Sequence, residues 1–276
     1  MTVEESRRRV IRALAAAGCV APAEEVDELV RAATAGVGVL DELVARRQRG
    51  EPLAWITGSI DFCGIRVRVD AGVYVPRAHT EALARRAASL LPADGIAVDL
   101  CTGSGALAAV LRSARPDATV LATDRDLVAI ACARSNGVTA LLGDLDEPLP
   151  SSLEGRVDVM TAVVPYVPTE ELHLLPRDVV AYEPRHALDG GPRGTALLER
   201  VAELSVRWLG PRGRVLLELG GDQVRVLAGT MSGVGLSNFR VYRDADGHDR
   251  AIEAWQGSTS GAPGQSIGEE AQTGSV

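Results

Sequence analysis

The sequence contains no lysine, and all 29 of its basic residues are arginine. That absence excludes a lysine Schiff base and the phosphate-gripping lysine of a P-loop. Cysteine is scarce. Cys19, Cys63, Cys101 and Cys132 are the four present, and no two form a C-x-x-C pair. This spacing predicts reduced thiols in a cytoplasm and no disulfide framework. The four histidines, His79, His173, His186 and His248, stand far apart, so no metal site is expected. No apolar run reaches the ~20 residues that a bilayer span needs. The opening MTVEESRRR leads into an amphipathic pattern and lacks an apolar signal core, so no membrane association is expected. A net charge of −8 disfavours a nucleic-acid partner, which a basic surface would suit better.

What is present begins with a helical segment. Val10, Ile11, Leu14 and Ala15 repeat at helical spacing, as do Val26, Leu29, Val30 and Ala33, with Gly18 and Gly36 as punctuation. Ile65, Val67 and Val69 then alternate with Arg66, Arg68 and Asp70, a strand signal. From Gly95 onward the texture is strand–helix alternation. Strands are expected at IleAlaValAspLeu, ThrValLeuAlaThrAsp, AlaLeuLeuGlyAsp, ValAspValMetThrAlaVal and ArgValLeuLeuGluLeu, with a closing pair at PheArgValTyr and ArgAlaIleGluAlaTrp. Seven strands with helices between them predict a doubly wound, mostly parallel α/β sheet with an antiparallel end. The expected division is a small helical domain at 1–58, a linking β-hairpin and loop at 59–80, an α/β domain at 81–256 and a Gly/Ser-rich disordered tail at 257–276.

The chemistry concentrates after the first strand of that α/β domain, at Asp99-Leu-Cys-Thr102-Gly103-Ser-Gly105-Ala. Two glycines let backbone approach a ligand closely, and the following helix offers unpaired N–H donors. Asp124, with Arg125 beside it, ends the second strand about 20 residues further on, where an acid can accept from both ribose hydroxyls. Gly143-Asp144 ends the third strand, where a carboxylate can accept from an adenine amino group. Nicotinamide enzymes usually show G-x-G-x-x-G with no preceding acid. An acid at each of three successive strand ends favours S-adenosylmethionine (SAM), whose sulfonium suits an acidic pocket. Each Asp alone reads equally well as a helix cap.

These residues resemble the HemK/PrmC-type protein-glutamine N(5)-methyltransferases over about residues 20–255. The resemblance runs through ArgGlnArgGlyGluProLeuAlaTrpIleThrGly at 47–58, Phe62 with Gly64, and Val75-Pro76-Arg77-x-x-Thr80-Glu81. It continues with the glycine motif, Asp124, Glu183-Pro184, Gly190-Gly191, Glu218 with Gln223, and Asp249-Arg250. It implies a class I SAM-dependent methyltransferase fold and a monomeric enzyme. It also implies a protein substrate of the release-factor type, methylated at the glutamine of a Gly-Gly-Gln motif and gripped by the helical domain. Pro76, Arg77, Thr80, Glu81 and Phe62 are implied to cover the cofactor. From the residues alone, Thr80 and Glu81 read as a helix start, Phe62 as core, and Arg250 as a cross-strand partner of Glu218.

The family's Asn-Pro-Pro-Tyr stands here as Val163-Val164-Pro165-Tyr166. In the family the asparagine carbonyl and a neighbouring backbone carbonyl accept the amide hydrogens and aim the nitrogen at the methyl group. Val163 offers no acceptor, and a lost preorganised contact of this kind costs on the order of 10²–10³ in rate. Three readings follow. The chain methylates glutamine with another acceptor group in place; it methylates a different acceptor; or it binds SAM with little catalysis.

Overall fold

The computed structural model describes residues 3–257; the expected tail, apart from Gly257, lies outside the described residues. The chain opens with α1 (Val3–Ala16), α2 (Pro22–Thr34), α3 (Leu40–Gln48) and the short α4 (Leu53–Thr57). Acidic residues fill the first turns of α1 to α3, and Pro22 starts α2, both favourable against the helix dipole and the unpaired first-turn N–H groups. Their apolar faces meet in a core of their own, built on Leu14, Val26, Leu29, Leu43 and Ile56. A buried ion pair reinforces it. Arg47 Nε lies 2.7 Å from Glu25 Oε2, and Arg47 Nη1 lies 3.2 Å from Asp178 Oδ2, far along the chain.

The hairpin of β1 (Ser59–Phe62) and β2 (Ile65–Arg68) follows, then a loop, then α5 (Thr80–Leu90). The alternating half is β3 (Ile96–Leu100), α6 (Ala106–Ala114), β4 (Thr119–Asp124), α7 (Leu127–Ser135), β5 (Thr139–Leu142) and β6 (Val157–Ala162). It continues with α8 (Arg177–Tyr182), α9 (Ala196–Trp208), β7 (Leu209–Glu218), α10 (Gln223–Gly233), β8 (Asn238–Arg243) and β9 (Asp249–Trp255). The sheet order is β5-β4-β3-β6-β7-β9-β8. β3 pairs in parallel with both β4 and β6, and β9 pairs antiparallel with β7 and β8. Seven strands, mostly parallel, appear as the pattern implied. The order adds that the final strand slots inside β8, a placement that strand signals alone do not determine.

Two apolar layers cover the sheet. One is built on Leu83, Ala87, Leu107, Leu111, Ile130 and Leu216, the other on Leu100, Met160, Leu198, Val201, Trp208 and Leu217. The first six residues of α6 are all buried, which is why its sequence, AlaLeuAlaAlaValLeu, is apolar all round. The direction of winding reverses at β3, between β4 and β6, so the carboxyl ends of these strands open a crevice where α/β sheets bind ligands.

Candidate active site

A cleft sits at that switch point, lined by residues at and just beyond the ends of β3, β4 and β6. The strand ends supply its floor. Asp99 is buried at the end of β3, and its two carboxylate oxygens accept from Thr102 Oγ1 at 2.6 Å and Thr161 Oγ1 at 2.7 Å. Burial pushes its pKa up to about 6, against the pull of the two hydroxyls. Asp124, at the end of β4, accepts from the backbone N–H of Gly103 at 2.9 Å and of Asp126 at 3.0 Å. Burial raises its pKa as well. Asp144, past β5, lies 2.9 Å from Arg200 Nη2 and reaches the cleft with Leu145. Asp124 and Asp144 cap no described helix. That work falls to Asp126, whose side chain accepts from Val128 N at the start of α7.

The two glycines of the motif do different jobs. Gly103 has φ +56 and faces open space, leaving room for a ligand. Gly105 has φ +77, and a Cβ there would stand 2.9 Å from that of Ala133, so it serves close packing of the loop on α7. Gly143 donates its N–H to the Asp124 carbonyl and turns away from the cleft, against Pro148. Thr102 and Arg125 line the cleft, with Phe62, Pro76 and Thr80 from the segment leading into α5. Phe62 is both core and wall, being 1% exposed and packed in the sheet's apolar layer.

Two covering residues sit outside the cleft. Glu81 pairs with Arg85 along α5. Arg77 lies 2.6 Å from Glu183 Oε1 and 4.7 Å above the Tyr74 ring, and Glu183 also accepts from Val75 N at 3.2 Å. Glu183 thus ties the loop after the signature to the segment before α5. Thr80 is not a helix cap; its hydroxyl donates to Glu218 Oε2 at 2.5 Å. Glu218 does not meet Arg250, as cross-strand spacing suggested. Arg250 turns back to Asp244 at 2.7 Å, and Glu218 instead receives Tyr166 OH at 3.1 Å and faces His79 Nε2 at 3.2 Å. Asp244, Asp246 and His248 converge in the exposed turn between β8 and β9, yet Asp244 is already occupied by two backbone N–H groups and Arg250.

Val163 and Pro165 line the cleft, as Thr80 and Tyr74 do, while Val164 is buried in an apolar layer of the sheet. The signature backbone is tightly framed. Gln223 Nε2 donates to the Tyr166 carbonyl at 2.7 Å, and Val167 exchanges bonds with Leu188 and Gly190. A Cβ at Gly194 would stand 2.0 Å from the Tyr166 oxygen, and one at Gly190 would stand 2.7 Å from the Pro165 oxygen. Tyr74, Cys101, Leu145, Leu197 and the pair His186 with Asp126, 3.1 Å apart, also face the cleft. Sequence reasoning missed them. A faint signal existed in the neighbours of the recognised motifs, since Tyr74 lies inside ValTyrValProArg.

The residues present fit SAM: open backbone at Gly103, acids at three strand ends and apolar walls from Phe62, Leu107 and Leu197. No family model matches the chain. The release factor glutamine methyltransferase of Geobacter sulfurreducens is 35% identical over 216 residues, covering 76% of this chain and 75% of that one. That of Moorella thermoacetica is 32% identical, covering 93% of this chain and 99% of its own length. Among solved structures, a methyltransferase from Pyrococcus furiosus superposes with a TM-score of 0.51 at 18% identity, over 71% of this chain and 90% of that one, a likeness of fold. The chain belongs to the release factor glutamine methyltransferase family, whose members are SAM-dependent methyltransferases.

Proposed function

We propose that this enzyme methylates the side-chain amide nitrogen of a glutamine in a protein of the release-factor type. The observation that carries the reading is one cleft with two ends. The acid-lined strand termini form one end. The signature loop, whose Val163 and Pro165 line the cleft and whose backbone is framed by Gln223, Gly190 and Gly194, forms the other.

SAM, when bound, supplies an electrophilic methyl group on a cationic sulfur. On this reading Asp124 accepts from the ribose hydroxyls, Asp144 faces the adenine, and Thr102 and Gly103 present the backbone against which the cofactor lies. Asp99 and its neighbours give the pocket the negative field that a cation needs. Arg125, Pro76 and Phe62 close its sides. Val163 and Pro165 wall the acceptor side of the cleft, and the Val164 carbonyl, to which no described residue donates, accepts one amide hydrogen. Holding the amide in line with the methyl group is the main contribution such a site can make.

The helical bundle, residues 1–58, is the grip for the protein partner. It is joined to the signature side by Arg47 to Asp178, by Tyr182 OH donating to the Arg49 carbonyl at 3.1 Å, and by Trp55 packed edge-on to Tyr182. No described helix is long and apolar enough to cross a membrane. We place the enzyme in the cytoplasm, acting as a monomer without nucleic-acid contact.

Incubation of the purified protein with SAM and a release factor carrying Gly-Gly-Gln tests the reading. Peptide fragmentation should find one added methyl group on that glutamine. A methyl group on another residue, or none, would reject it.

A further inference from the structure

Thr80 is one of the residues that line the cleft, as Val163 and Pro165 do; it is 5% exposed, with its hydroxyl 2.5 Å from Glu218 Oε2. Glu218 is 1% exposed and takes hydrogen bonds at both oxygens, Tyr166 OH arriving at Oε1. A carboxylate accepts only, so the single hydroxyl proton of Thr80 is committed to it. The lone pairs of Thr80 Oγ1 are therefore left as an acceptor. That is the chemistry Val163 cannot provide, in a residue lining the same cleft.

We propose, on the strength of the glutamine reading above, that Thr80 Oγ1 accepts the second amide hydrogen of the substrate in place of the absent asparagine. Glu218 is the positioning residue that fixes this hydroxyl and takes the released proton through it. In the transfer step the amide nitrogen forms a bond to the methyl carbon as the carbon–sulfur bond breaks, and the bonding pair stays on sulfur. The nitrogen, left cationic, gives its proton to Thr80 Oγ1 while the threonine's own proton passes to Glu218 Oε2. The positive charge that leaves sulfur thus cancels the negative charge of Glu218, and the product is a neutral N-methyl amide. His79, with Nε2 3.2 Å from Glu218 Oε1 and its side chain 34% exposed, connects the carboxyl group to solvent for its return to the ionised form.

The test pairs single-turnover methyl transfer to a release factor with calorimetric binding of S-adenosylhomocysteine. Thr80→Val should lower the transfer rate about 10²–10³-fold, the usual loss for one preorganised contact, and leave binding within about threefold. Thr80→Ser should restore the rate to within about tenfold of wild type, because the hydroxyl returns. Glu218→Gln, which keeps the shape but cannot take the proton, should lower kcat at least about thirtyfold with KM for the release factor little changed. A Thr80→Val enzyme that transfers at the wild-type rate overturns the inference and leaves the glutamine reading standing. Should Thr80→Val lose cofactor binding, the other two variants decide: Thr80→Ser at less than one-hundredth of the wild-type rate, or Glu218→Gln at full kcat, overturns it. A wild type that transfers no methyl group to the release factor overturns both.

Discussion

The two ends of the cleft are built by different means. The cofactor end comes from the tips of adjacent parallel strands, and its acids are held both locally, Asp99 by Thr102 and Asp124 by Asp126, and from further along the chain, Asp124 by Gly103, Asp99 by Thr161 and Asp144 by Arg200. The acceptor end is assembled from α5, the loop after β6, the end of β7 and the start of α10, with every key bond crossing long stretches of chain. The acids of the first end stand at or next to the strand tips, so their placement follows from the sheet itself. A tertiary construction can change one member and draw on another, because several side chains already converge there. Val163 is the changed member, and Thr80 on Glu218 is the group positioned to stand in.

The sharpest way to break this contrast is Gly194→Ala. A Cβ would stand 2.0 Å from the Tyr166 carbonyl oxygen, at a φ of +69. The acceptor loop must move, and methyl transfer should fall more than about a thousandfold, since misplacement of about 1 Å already costs about 10²-fold. SAM affinity, measured by calorimetry, should stay within a few-fold. Equal loss of both would show that the two ends are one unit.

Arg47→Ala comes next. It leaves Glu25 buried without its partner and cuts the bundle from Asp178. Chemical denaturation should show a loss of about 3 kcal/mol, in the range for a broken buried pair. KM for the release factor should rise while SAM affinity holds. Asp124→Ala addresses the other end: it removes the acceptor for two backbone N–H groups and for the proposed ribose contact. SAM affinity should fall about 100-fold, or about 2.7 kcal/mol.

The smallest effect is on pH. Asp99, pushed up to about 6 by burial, becomes neutral as pH falls through that value. The attraction of the pocket for a cationic ligand then weakens. SAM affinity should drop about fivefold from pH 7 to pH 5, the size of a single interaction of roughly 1 kcal/mol. The Asp99→Asn protein should show a flatter profile.

The same contrast explains what the sequence disclosed. The strand-end positions of Asp99, Asp124 and Asp144 were legible because each acid follows a recognisable strand. Seven strands were legible from periodicity, but the insertion of β9 between β7 and β8 was not, since pairing order depends on packing between distant segments. Thr80 read as a helix start because position 80 begins a helix; its bond to Glu218 exists only once α5 docks on the end of β7. Glu218 was assigned a cross-strand arginine on spacing alone, and the turn before β9 took that arginine instead. Tyr74 carried no motif of its own and became a cleft residue through the path of its loop.

The most direct test is a single-turnover reaction with methyl-labelled SAM and two release factors, one with Gly-Gly-Gln and one in which that glutamine is replaced by glutamate. Label on the amide nitrogen of the first protein and none on the second is the predicted result. Tight SAM binding without label on that glutamine would mean that the cofactor end has survived and the acceptor end has not.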